Sequence, residues 1–111
     1  MEIYSCKQTF IYIKVTNNNA PQGWYRRSTT YRVSGTVAST YPVTKMVMEV
    51  YDLDGNRTYA GREGSPNMTN FKYQFTLYFS HLRSGKYYYQ MTGYNALGDA
   101  VQSRRYYFTV Y

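Results

Sequence analysis

The stretch DLDGNRTYAGRE, residues 52–63, carries oxygen-bearing side chains at the spacing of a calcium-binding loop. Asp52, Asp54, Asn56, Thr58 and Glu63 fall at its first, third, fifth, seventh and twelfth positions. Arg57 stands where such a loop requires glycine, and no helical pattern flanks it. Asp54-Gly55 is a hairpin signal in its own right, so a turn between two strands explains the stretch without a metal. Nucleophilic chemistry has fewer candidates still. Cys6 is the only cysteine and His81 the only histidine. No internal disulfide or cysteine-based metal cluster can form, and an inert thiol is the default reading of Cys6. Of the six acids, Asp52, Asp54, Glu63 and Asp99 lie in or beside turns, not as the positioned pair that hydrolysis needs. No motif supports a Ser–His–Asp arrangement. No catalysis and no cofactor are expected.

Binding chemistry is the richer possibility, because 16 of 111 residues are tyrosine. The tyrosine ring packs well on a pleated sheet while its hydroxyl reaches water, and the same ring is a favoured contact group at binding surfaces. Trp24 beside Arg26 and Arg27 has the makings of a ligand contact, although a tryptophan there reads first as a plug closing one end of a sandwich. The triplets Asn56-Arg57-Thr58 and Asn67-Met68-Thr69 match the N-glycosylation pattern, which arises often by chance. His81 reads as a surface residue.

The net charge is +7, from 13 Lys and Arg against 6 Asp and Glu. That balance favours polyanions, whether nucleic acid, teichoic-acid-like wall polymers or anionic lipid. The basic residues are scattered, with only Arg26-Arg27 and Arg104-Arg105 adjacent, so the clustered footprint of a nucleic-acid binder is missing and nucleic acid is not expected. No apolar run approaches the roughly 20 residues of a membrane span, and membrane insertion is not expected. MEIYSCKQTF lacks the parts of a signal peptide. An exported form would need a signal already removed, or a place downstream in a longer chain.

The elements that must position these side chains read as strands and turns, with no helix. TFIYIKV (9–15), TYRVSGTVA (30–38), KMVMEVY (45–51), RTYAG after the DLDGN turn, FKYQFTL (71–77), KYYYQMTGY (86–94) and SRRYYFTVY (103–111) alternate apolar and polar residues. Turn formers at NNNAPQG, DLDGN, GSPN and NALGD separate them. About seven short strands, roughly a dozen residues apart, predict an all-β antiparallel sandwich. With 43% hydrophobic residues and nothing like a linker, residues 1–111 read as one domain with a single modest core.

Leu82-x-x-Gly85-x-Tyr87-x-Tyr89, followed by Asn95-Ala96-x-Gly98, resembles the penultimate strand of fibronectin-type-III and related immunoglobulin-like domains. The resemblance implies that Tyr87 forms a tyrosine corner, its hydroxyl bonded back to the backbone. Across about residues 20–110, VSGTVASTYPVTKMVMEVYDLDGN, SPN, LRSGKYYYQMTGYNALG and FTV look like the immunoglobulin-like modules attached to bacterial and phage cell-wall lysozymes and other surface proteins. This implies a non-catalytic accessory module, extracellular or at the cell surface. Leu82, Gly85, Tyr87 and Tyr89 carry the structural motif, and the resemblance transfers no functional residue.

Tyr87, Tyr88 and Tyr89 are consecutive, so the middle ring must face away from the other two. If the last two strands pair across a loop at Ala96–Asp99, Tyr87 faces Phe108 and Tyr89 faces Tyr106 inside. Outside, Tyr88 faces Tyr107 and Gln90 faces Arg105. In this topology the strand holding Tyr51 and Val47 borders Tyr88. The expected outer patch is therefore Tyr51, Tyr88, Arg105 and Tyr107. One reading makes it a cross-strand aromatic pair that needs no ligand. The other makes it a platform for a cell-wall polymer, a glycan or a protein partner. Self-association through the edge of TFIYIKV is a further possibility.

Overall fold

The computed structural model describes residues 12–111, and within them the chain forms eight strands and one short 3-10 turn. They are β1 (Ile13–Asn19), β2 (Gly23–Tyr25), β3 (Thr30–Asp52), β4 (Arg57–Gly64), β5 (Met68–Tyr78), the turn Phe79–His81, β6 (Gly85–Asn95), β7 (Ala100–Gln102) and β8 (Tyr106–Val110). Cys6 and the first part of TFIYIKV lie outside the described residues. The strand expected there is found as β1, displaced toward the asparagine run.

β3 is the organising element. Its first half pairs with β1 and β5, and its second half pairs with β4 and β6. Two strands expected from the sequence are thus one, running through Tyr41 and Pro42 without a turn. The connecting STYPVT contains no glycine, asparagine or aspartate to reverse the chain. The ladder with β5 shifts register between Ala38 and Val43, which is where the strand passes from one sheet to the other. One sheet is therefore β1, the first half of β3 and β5. The other is β4, the second half of β3, β6 and β8, with β2 added parallel along β8 and β7 beside β6.

Alternation decides what lies between the sheets. Val33, Val37, Phe75 and Leu77 enter from the first, and Met46, Met48, Val50, Tyr89, Met91, Phe108 and Val110 from the second. Tyr87, Leu82 and Phe79 close one end of this core. The sheets meet where the Phe75 and Tyr89 rings lie 6.4 Å apart.

The tyrosine corner forms as the motif implies. The Tyr87 hydroxyl donates to the Arg83 carbonyl at 2.7 Å, and Leu82 is buried beneath it. Arg27 adds a tie that the sequence did not suggest. Its guanidinium donates to the Leu82 carbonyl at 2.8 Å and to the Ser80 carbonyl at 3.1 Å, so this arginine fastens the corner and is not available as a ligand contact beside Trp24.

DLDGN is a hairpin, not a calcium loop. Asp52 accepts backbone N–H groups from Asp54 at 2.9 Å and Asn56 at 3.0 Å. These bonds hold its carboxyl below the usual carboxylate range. Gly55 takes the left-handed φ of 86° that the turn requires. Glu63 lies away in β4, paired with Lys45 at 2.9 Å. Among the described residues, no group of three His, Cys, Asp or Glu is placed to hold a metal.

Candidate functional site

The second sheet carries its tyrosines across three neighbouring strands in one row. Tyr51 in β3 is directly opposite Tyr88 in β6, and Tyr88 is directly opposite Tyr107 in β8. The Tyr88–Tyr107 pair, with Tyr87–Phe108 and Tyr89–Tyr106 on the inner face, is the register expected from the sequence, and Tyr51 stands on the outer face of the neighbouring strand, as expected. The Tyr51 and Tyr88 rings are stacked, with centroids 5.1 Å apart and planes 15° from parallel. Tyr107 tilts against Tyr88 at 5.8 Å.

A bulge brings the arginine in. β7 and β8 form one interrupted strand along β6, with one more residue between Gln102 and Tyr106 than between Tyr89 and Thr92. Ser103 seats this bulge, accepting the Met91 N–H on its hydroxyl at 3.0 Å and the Gln90 amide on its carbonyl at 2.8 Å. The expected Gln90–Arg105 pair is therefore replaced by Gln90–Ser103. Arg104 and Arg105 turn to opposite sides, Arg104 over the Tyr106 ring at 4.3 Å and Arg105 over the Tyr88 ring at 4.4 Å.

Tyr88 is consequently covered. Flanked by Tyr51, Tyr107 and Arg105, it retains only 5% of its surface, so the expectation of an open Tyr88 platform is corrected. Alternation tells which face a residue takes, but not whether long neighbours close over it. Tyr51 is held from its other side, donating its hydroxyl to a Glu49 carboxylate oxygen at 2.6 Å. Arg57 donates to the second Glu49 oxygen at 2.9 Å. Burial, and then the bond to the Glu49 carboxylate, push the Tyr51 hydroxyl up to about 12.

The open part of this face lies one step along the strands. Tyr107 is 55% exposed and Trp24 is 70% exposed. β2 lies parallel to β8 with Trp24 beside Thr109, so Trp24 and Tyr107 share the outer face. A shallow groove between them is lined also by Leu53, Lys86 and Thr109. The plug expected of Trp24 is thus overturned: Ala20 and Tyr25, not Trp24, turn toward the core, while the exposed indole lies against the Tyr111 ring at 6.2 Å. A three-residue strand added in parallel gives no sequence signal, so this placement could not be read in advance.

No protein-family profile matches the chain, and no curated protein matches its sequence. Among solved structures it is similar to the fibronectin(III)-like modules of Clostridium thermocellum CbhA. That likeness has a TM-score of 0.58 and 16% identity over 87% of this chain and 94% of that one. It is also similar to the CARDB domain of the PF1109 protein from Pyrococcus furiosus, solved in complex with di-metal ions, with a TM-score of 0.55 and 13% identity over 100% of each chain. The fold of this chain is an all-β, immunoglobulin-like sandwich similar to that of fibronectin(III)-like modules.

Proposed function

We propose that this chain is a non-catalytic accessory module of a bacterial or phage surface protein, working outside the cell, and that it binds a cell-wall glycan through the outer face of the second sheet. The observation that carries this reading is the groove between two exposed aromatic rings, Trp24 and Tyr107, with Lys86 beside it. Rigid aromatic rings give contact area at low entropy cost, and sugar rings offer flat C–H faces to match. The row behind them, Tyr51–Tyr88–Arg105, acts as the backing that fixes Tyr107 in place.

Retention on purified peptidoglycan tests this. Wild type is expected to be retained at low salt, and the Trp24→Ser/Tyr107→Ser variant to be released while keeping the wild-type urea midpoint. Lack of retention by wild type, or full retention of the variant, overturns the proposal. A structural or assembly role would then stand, and one observation favours it: Tyr88 is satisfied entirely by its own neighbours.

A further inference from the structure

We propose that the outer face of the first sheet, on the opposite side of the sandwich, binds a polyol-phosphate polymer: an extended chain of hydroxyl-rich units joined by phosphodiesters. The inference starts from where the charges fall. All five acids among the described residues, Glu49, Asp52, Asp54, Glu63 and Asp99, belong to the second sheet or its turns. Among the described residues, the outer face of the first sheet has none.

That face instead carries Lys14, Arg32 and Lys72, all exposed, and none of the three makes an ion pair among the described residues. Lys45 and Arg57 on the other sheet are each held by a glutamate. The register fixes the arrangement. Thr36 is flanked by Thr16 and Lys72, Ala38 by Lys14 and Asn70, Ser34 faces Gln74, and Arg32 faces Thr76. Strands roughly 4.8 Å apart and alternate residues roughly 7 Å apart place Lys72 about 12 Å from Lys14 and about 14 Å from Arg32, a bent track that crosses from β1 to β5 and returns to β3. Short hydroxyl and amide side chains fill the space between them.

The edge strand adds donors. Among the described residues β5 pairs only with β3, so within them alternate backbone N–H groups of β5 point outward. A shallow groove lined by Arg32, Lys72, Gln74 and Thr76, with Phe71, Tyr73 and Phe75 of the inward-facing set at its rim, follows that edge. Oxyanions spaced along an extended chain match this combination of cations and N–H donors. Nucleic acid matches it less well, because single strands are held by bases stacked on aromatic rings. Among the described residues, the exposed aromatics of this outer face are Tyr12, beside Thr40, and Tyr78, beside Thr30; they stand at its two ends and give no row on which bases could stack.

The proposal does not rest on the Trp24–Tyr107 groove, and the experiment separates the two. Binding of poly(glycerol phosphate) is measured as a function of salt for wild type, Arg32→Gln/Lys72→Gln, the charge-matched Arg26→Gln/Arg83→Gln, and Trp24→Ser/Tyr107→Ser. The Arg32/Lys72 variant is expected to lose about tenfold in affinity at low salt, and its log–log salt slope to fall by about 1.4, roughly 0.7 for each cation removed. The other two variants are expected to stay within about threefold of wild type. Equal losses in the two charge variants would show a diffuse effect of net charge and overturn the proposal. So would absence of wild-type binding, loss confined to the Trp24/Tyr107 variant, or tighter binding of an oligothymidylate with the same number of phosphates.

Discussion

Tyr87 and Tyr89 stand two residues apart on the inner face of β6, and their hydroxyls meet opposite surroundings. Tyr87 donates to the Arg83 carbonyl at 2.7 Å. The Tyr89 hydroxyl is buried between the sheets with no hydrogen-bond partner among the described residues. The same substitution should therefore act with opposite sign. Tyr87→Phe orphans a carbonyl and is expected to cost about 1 kcal/mol, whereas Tyr89→Phe removes an unsatisfied group and should be neutral or stabilising by up to about 1 kcal/mol. Urea midpoints decide it, and equal shifts for the two variants would contradict the assignment.

Alkali should loosen the fold through its tyrosines. The Tyr51 hydroxyl is moved from its ordinary 10.0 to about 12, and burial raises Tyr31, Tyr59, Tyr87 and Tyr89 in the same direction. The folded state holds these protons more tightly than the unfolded chain. The stability they contribute is thus complete below the unfolded value and is lost as pH rises through the folded one. The urea midpoint should be level up to about pH 9 and fall between pH 10 and 12, less steeply in Tyr51→Phe. A midpoint unchanged at pH 11 would refute this.

Tyr88 and Tyr107 face each other across two strands, yet they should respond very differently to truncation. Tyr88→Ala leaves a hole beneath Tyr51 and Arg105 and is expected to cost on the order of 3 kcal/mol. Tyr107→Ser, at an exposed site, should change stability by less than about 0.5 kcal/mol. Thermal melting of the two variants is the check, and similar losses would mean that Tyr107 is structural.

Gly35 sits against the Met91 sulfur, with no room for a Cβ between them. Gly35→Ala is expected to destabilise by about 1–3 kcal/mol through overpacking. Adding Met91→Ala to that variant should cost less than the two single effects combined, because the clash is already relieved. Strict additivity in denaturant titrations would show that the contact does not limit the packing.

The part of this molecule that alternation and turn chemistry control was legible in the sequence. The pairings Tyr87–Phe108, Tyr88–Tyr107 and Tyr89–Tyr106 match those expected from period-two faces and a loop at Ala96–Asp99, although the hairpin itself is one residue out of that register, with Tyr94 opposite Ala100, and the extra residue at the Ser103 bulge restores it. What escaped was whatever depends on a third dimension of contact. Strands expected at 30–38 and 45–51 join because nothing between them enforces a reversal. The bulge at Ser103 shows no glycine or proline. The exposure of Trp24 and the covering of Tyr88 depend on which long side chains fold over which neighbours, and periodicity carries no record of that.

A single strand laddered into both sheets also constrains how the molecule can come apart. Freeing β1 or β5 leaves β3 anchored by β4 and β6, and the converse holds equally. Neither sheet can detach as a unit without disturbing the backbone of the other. Native-state hydrogen exchange should therefore find the amides of Val37 and Val50, in the two halves of β3, opening together in one event with the free energy of global unfolding. Sub-global opening of one sheet alone would mean that the crossing at Tyr41–Pro42 acts as a hinge.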